Sequence, residues 1–188
     1  MPEAAPRSYL AFAPTSWMSA LPPATRLVFH GDRTARAAVG RLFPIPVDDE
    51  VCRARVDGER AGLWLGPDEY LLLAPAEQSA ASIAQALDAA LGATAHAIID
   101  VSHRQIGLEI RGPLAARILN GACPLDLDPA QFPTGTCTRT VLAKADIVLW
   151  RPRAEAFRVE VWRSFAPYAI ALLTEIARDL IPADSTSA

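Results

Sequence analysis

Ile98-Ile99-Asp100-Val101-Ser102-His103-Arg104-Gln105, then Ile106-Gly107-Leu108-Glu109-Ile110-Arg111-Gly112-Pro113, then Leu114-Ala115-Ala116-Arg117-Ile118-Leu119, is the stretch that decides the fold. It reads as a strand, a polar corner, a second strand and a helix that follows at once. Ile106, Leu108 and Ile110 alternate with Gly107, Glu109 and Arg111, the period of a half-buried strand. Gly112-Pro113 is a stop-and-start signal, because glycine turns the chain and proline at a first helical position gives up only an N–H without a helical partner. Leu114, Ala115, Ile118 and Leu119 share one helical face, and Gly121 is placed to end the helix.

Working outward, the same order stands on both sides of this corner. Upstream, residues 26–30 predict a strand and Gly31-Asp32 opens a helix with Asp32 as N-cap. Strands follow at 51–56, 61–65 and 70–73, with turns at Asp57-Gly58 and Gly66-Pro67-Asp68-Glu69. A helix with Ile83, Leu87 and Leu91 on one face ends at Gly92. Downstream of the strand at 105–111 and helix at 113–121, strands are expected at 138–143, 146–151 and 156–162. Ser164 is the expected cap of a last helix with a Phe165, Tyr168, Leu172 and Ile176 face. Echoes accompany the repeated order: Gly31-Asp32-x-x-Ala35-Arg36 against Gly112-Pro113-x-Ala115-Ala116-Arg117, and Leu63-Trp64 against Leu149-Trp150. The reading is α+β, two similar halves, each a small antiparallel sheet with helices. Residues 1–25 form a proline-rich arm, 26–182 a single domain of two pseudo-repeats (26–92 and 105–182), and 183–188 a tail. The second half is longer in the loop 123–136, which makes that loop and the arm candidates for binding a partner.

The 188 residues suit one domain, with 51% hydrophobic residues to build its core and a net charge of −3. Arginines are dispersed along the chain, which excludes a nucleic-acid footprint. No basic start precedes an apolar core, so no signal peptide is expected, and no apolar run reaches the ~20 residues of a membrane span. Cys52, Cys123 and Cys137 form no C-x-x-C pair, and a cytoplasmic protein with free thiols is the expectation.

Asp100, Ser102 and His103 invite comparison with a hydrolase triad, but alternation along a strand puts His103 across from the other two, and no G-x-S-x-G elbow is present. Asp100 and Ser102 are instead expected to bond backbone N–H groups at the corner. His30, His96 and His103 lack the spacing of metal ligands, and the glycine turns lack the pattern of a nucleotide loop. Aromatic residues Trp64, Tyr70, Trp150, Phe157 and Trp162 lie on expected strands and are read as core.

Four short motifs in order carry a resemblance: residues 65–72 (Leu-Gly-Pro-Asp-Glu-Tyr-Leu-Leu), Asp100-Val101-Ser102-His103-Arg104, Cys123-Pro124-Leu125-Asp126-Leu127, and Arg163-Ser164-Phe165. Over roughly residues 26–180 the chain resembles the folate-binding aminomethyltransferase (T-protein-like) superfamily, and within it the sarcosine oxidase gamma subunit family. The resemblance implies a non-catalytic subunit of an oxidoreductase complex that oxidises sarcosine to glycine with tetrahydrofolate and oxygen. It implies an alpha subunit as direct partner, with beta and delta reached through it. FAD, FMN, NAD and tetrahydrofolate are then expected in those partners and no cofactor in this chain. Asp126 falls where aminomethyltransferases carry the aspartate beside the folate, although Leu125 stands where they usually have asparagine. Asp126 is thus the folate-side candidate; no residue is assigned as catalytic or as a metal ligand. A stand-alone folate-binding protein and a homo-oligomeric α+β scaffold are the alternatives.

Overall fold

A computed structural model describes residues 12–45 and 50–181; Tyr9 and Leu10 of the expected arm, and the 183–188 tail, lie outside the described residues. The elements run β1 (Met18–Ala20), β2 (Ala24–Gly31), α1 (Arg33–Val39), β3 (Ala54–Asp57), β4 (Arg60–Gly66), β5 (Glu69–Pro75), α2 (Ala80–Leu91) and β6 (His96–Asp100). They continue β7 (Gln105–Arg111), α3 (Ala115–Asn120), β8 (Cys137–Leu142), β9 (Ala145–Arg153), β10 (Ala156–Trp162) and α4 (Ala166–Leu180). The fold is α+β with two five-stranded antiparallel sheets, ordered β3-β4-β5-β2-β6 and β8-β9-β10-β7-β1.

Both sheets share one internal order, and the fifth strand of each is exchanged. β6, which leads into the second half, pairs with β2 of the first. β1, which leads into the first half, pairs with β7 of the second, Met18 opposite Ile110. β1 lies inside the stretch read as an arm, so the arm contributes sheet from Met18 onward. Three residues between prolines carry too little alternation to signal a strand; the pairing is supplied by the open edge of β7.

Side-chain alternation sorts the core into layers. Leu27, Phe29, Tyr70 and Leu72 face α1 and α2, packing on Val39, Ile83 and Leu87. Leu108, Ile110, Phe157 and Val159 face α3 and α4. Val28, Leu63, Leu71, Leu73, Val148 and Trp150 fill the space between the two sheets. The order through the molecule is therefore helices, sheet, sheet, helices. It explains the unbroken run Leu71-Leu72-Leu73, since a strand buried on both faces need not alternate with polar residues. Each such Leu or Phe contributes about 1.5–3 kcal/mol by leaving water.

Local signals place the helix ends. The Asp32 carboxylate accepts the Ala35 N–H at 2.9 Å and so caps α1. Gly92 ends α2 at φ +55, and Gly112 turns at φ +97 before α3, a backbone region that favours glycine. Two expectations change. Ser164 does not cap α4, whose N-cap position is Phe165 with no side-chain cap bond. The buried face of α4 is Ala166, Ala169, Leu173 and Ala177, while Phe165 and Tyr168 are exposed. Alanines let the helix lie close on the sheet beside the buried Leu173. Leu172 and Ile176 of the expected face pack partly buried against the core, and Phe165 and Tyr168 are turned outward.

The Leu-Trp echo also holds only at strand level. Trp64 on β4 sits opposite Tyr70, a helix-side residue, whereas Trp150 on the equivalent β9 packs between the sheets beside Leu63. Leu63, one residue earlier, shares the face of Trp150.

Candidate functional site

The corner at the centre of the sequence is a turn at residues 102–104. One oxygen of Asp100 accepts both the Ser102 N–H at 2.8 Å and the Ser102 hydroxyl at 2.6 Å. The Ser102 Oγ accepts the Arg26 N–H at 2.9 Å, continuing the pairing of β2 past the end of β6. Asp100 and Ser102 thus bond backbone N–H groups as expected. The geometric reason differs, because the segment is a turn with His103 exposed on it.

Behind this corner, buried charge crosses between the sheets. The Arg26 Nε of β2 donates to the Glu160 Oε2 of β10 at 2.6 Å, and the Arg158 Nε donates to Glu160 Oε1 at 2.7 Å. Arg26 and Glu160 are 3% and 0% exposed, so neither is hydrated by bulk water. Gly107 makes room for them: a Cβ there would stand 3.0 Å from Glu160 Oε1 and 3.3 Å from Arg26 Nη2. The glycine read as part of a polar face is a space-maker for an ion pair.

Beside the pair opens a cleft of about 370 Å³, lined within by Val28, Leu65, Gln105, Val148 and Glu160. Arg104, Arg139, Asp146 and Trp162 stand at its rim. Arg104 lies 4.7 Å over the Trp162 ring, and Arg139 donates from Nη1 and Nη2 to the two carboxylate oxygens of Glu69. The Gln105 Oε1 is buried without a hydrogen-bond partner. Chemically the cleft can hold a polar group. Glu160, engaged by two arginines, is not free to act as a base there.

Asp126, the motif-matched candidate, is exposed on the loop after α3. Its carboxylate accepts the Asp128 N–H at 2.9 Å, and the Asn120 amide donates to the Leu125 carbonyl, so the loop turns on itself. Asp126 lines neither the inter-sheet cleft nor the 550 Å³ groove lined by Arg151, Pro129 and Phe157. Loop 123–136 is mostly at the surface but is anchored to the core by the buried Cys123, Leu127 and Phe132. Phe132 belongs to the core and not to a partner-binding surface of that loop. Arg151, a residue to which sequence reasoning assigned no role, explains the loop's path. Its buried guanidinium donates to the carbonyls of Leu127 at 3.2 Å, Phe132 at 2.8 Å and Ala154 at 3.1 Å, and it lies 4.9 Å over the Phe157 ring. A guanidinium offers five donors in a fixed fork, enough to hold three carbonyls without a carboxylate.

Cys137 lies between the sheets with its thiol 3.5 Å from the Trp64 carbonyl, and burial pushes its pKa up to about 12. It stays a thiol, which is a poor nucleophile. His96 holds its proton above the usual histidine range through the Thr94 carbonyl at 2.6 Å and Asp88 at 2.9 Å, tying β6 to α2. Among the described residues, no group of three His, Cys, Asp or Glu side chains could hold a metal ion. No helix among them is long and apolar enough to cross a membrane.

A family model described as sarcosine oxidase, gamma subunit family, matches residues 31–179. The sarcosine oxidase subunit gamma of Corynebacterium sp. strain U-96 is 31% identical over 178 residues, covering 93% of this chain and 80% of that protein. The same-named subunit of Arthrobacter sp. is 34% identical over 150 residues, covering 80% of this chain and 68% of that protein. Among solved structures, a chain of the heterotetrameric sarcosine oxidase from Corynebacterium sp. U-96, in complex with pyrrole 2-carboxylate, superposes with a TM-score of 0.78 at 28% identity, covering 88% of this chain and 85% of that one. The glycine cleavage system aminomethyltransferase T of Bartonella henselae superposes with a TM-score of 0.64 at 15% identity, covering 86% of this chain and 46% of that one, a likeness of fold.

Proposed function

This chain belongs to the sarcosine oxidase gamma subunit family, and from that premise we propose that it serves as a non-catalytic subunit of a heterotetrameric sarcosine oxidase. The carrying observation is its likeness, across nearly its whole length, to a chain of such an assembly. The site chemistry supports the same reading. Glu160 is neutralised by two arginines, Cys137 is held as a thiol, and Asp126 closes a turn. In this reading the chain packs on an alpha subunit and reaches beta and delta through it. The partners hold FAD, FMN, NAD and tetrahydrofolate, and sarcosine oxidation takes place on them.

The test is purification from the native cell with a tag on this chain. The expected result is co-elution with flavin-containing subunits and sarcosine-dependent peroxide formation, while the isolated chain is colourless and makes none. Peroxide made from sarcosine by the isolated chain, or native purification without any other subunit, overturns the reading. Asp126 is proposed as a folate-side carboxylate in this setting, its cavity completed by a neighbouring chain. Asp126→Ala is then expected to weaken folate binding by the assembled enzyme while moving the chain's stability by no more than about 0.5 kcal/mol. Equal folate affinity in calorimetric titration of the two assemblies removes Asp126 from the site.

A further inference from the structure

The inward face of α4 is closed by Ala166, Ala169, Leu173 and Ala177, and the aromatic side chains at its start are left in water. Trp162 at 41%, Phe165 at 41% and Tyr168 at 37% exposure are the exposed aromatic residues among those described, and all three lie at the β10–α4 corner. The exposed large aliphatic residues lie elsewhere, between Leu42 and Ile99. The corner is tied to the 102–104 turn, because the Arg163 N–H donates to the Arg104 carbonyl at 2.8 Å. Arg104 in turn covers one side of the Trp162 ring. His103, Arg104 and Arg163 are exposed on the same corner.

The charge there is one-sided. Segments 101–104 and 162–168 contain no Asp or Glu, in a chain that carries 21 acidic residues and a net charge of −3. Of the nearest acids, Asp100 is bonded to Ser102, Glu160 is buried against two arginines, and Asp146 stands across the adjoining cleft. α4 has no side-chain cap, and its dipole adds positive partial charge at the corner, while Pro167 carries no N–H and the Ala166 N–H donates to the Arg163 carbonyl. Exposed Trp, Tyr and Arg in one patch is the composition of an interface hot spot, and a carboxylate is the group that arginines and a helix N-terminus recognise.

We propose that the β10–α4 corner is a docking surface for an acidic segment of another subunit, with Trp162, Phe165 and Tyr168 as the apolar anchors and Arg104 as a carboxylate contact. This deepens the subunit reading above and rests on it. The partner segment lays an apolar residue over Phe165 and Tyr168, which stand one helical turn apart, and brings its carboxylate to Arg104.

The experiment titrates the purified chain into the remaining subunits of the enzyme, by calorimetry, at salt concentrations from about 50 to 200 mM. Arg104→Glu and the double variant Phe165→Ser with Tyr168→Ser are each expected to weaken binding about tenfold or more. Val56→Ser and Ile99→Ser, exposed elsewhere, are expected to bind as the unaltered chain does. Affinity of the unaltered chain falls as salt rises, and Arg104→Glu flattens that dependence. Circular dichroism confirms folding; should Arg104→Glu misfold, the double variant at two exposed positions decides. Folded patch variants with unchanged affinity overturn the proposal while leaving the subunit reading intact. So does a salt-independent affinity, and so does a homodimer that the patch variants abolish without altering binding to the other subunits. An unaltered chain that binds none of the other subunits overturns the subunit reading itself.

Discussion

At the scale of single residues, the least replaceable side chain is Glu160. It is fully buried and compensates Arg26 from the opposite sheet and Arg158 from its own strand. Glu160→Gln keeps the shape and leaves buried guanidinium charge without a counter-ion, so the expected loss is about 3–5 kcal/mol, read from urea unfolding. The double change Arg26→Met with Glu160→Leu removes the charge as well and is expected to recover most of it. A loss below about 1 kcal/mol for Glu160→Gln would mean that water reaches the pair. Cys137 gives a pH signature. Its folded pKa of about 12 lies above its ordinary value of 9.0, so the thiol favours the folded state fully below pH 9 and that stability is lost as pH rises toward 12. The difference in urea midpoint between the unaltered chain and Cys137→Ala is expected to narrow across that window; parallel curves would reject the assignment. None of this was legible in the sequence. Arg26 and Glu160 stand 134 positions apart, and a charged residue on a strand reads as solvent-facing until the second sheet is known to cover it. Asp100 and Ser102 were legible, because their bonds are local and follow from residue type.

At the scale of elements, sequence reading succeeded wherever one apolar period was present and faltered where two competed. β7 and α2 each have a single stripe, and Ile83, Leu87 and Leu91 are buried as their spacing requires. α4 has two stripes, Phe165-Tyr168-Leu172-Ile176 and Ala166-Ala169-Leu173-Ala177, and the close approach of helix to sheet buries the second, leaving Phe165 and Tyr168 of the first exposed. Space should therefore be tighter at Ala169 than at Tyr168. Ala169→Leu is expected to cost about 1–3 kcal/mol by overpacking, and Tyr168→Ser to change stability by no more than about 0.5 kcal/mol. Thermal melts of the two variants measure the contrast, and equal losses would return Tyr168 to the core. The same two-sidedness leaves α4 an apolar face for a partner.

At the scale of the whole molecule, the shared order of elements in residues 26–92 and 105–182 supports their proposal as pseudo-repeats of a single 26–182 domain. Repetition was visible in the sequence; the exchange of β1 and β6 was not, because an antiparallel edge accepts any extended segment that reaches it. That exchange has an energetic consequence. Residues 26–92 alone lack β6, lack the second sheet over Val28, Leu63, Leu71 and Leu73, and lack Glu160 opposite Arg26. Such a fragment exposes one whole apolar sheet face and a stranded cation, and it is expected to be unfolded or aggregated by circular dichroism. For the intact chain the expectation is one cooperative transition in urea. Trp64 lies on the first sheet and Trp17, Trp150 and Trp162 with the second, so fluorescence of the Trp64→Phe variant and of the Trp17→Phe, Trp150→Phe, Trp162→Phe triple variant should each give the midpoint that circular dichroism gives for that variant. Two separated transitions, or a fragment 26–92 that folds by itself, would show that the halves are independent and that the exchanged strands and the buried pair contribute little to their union.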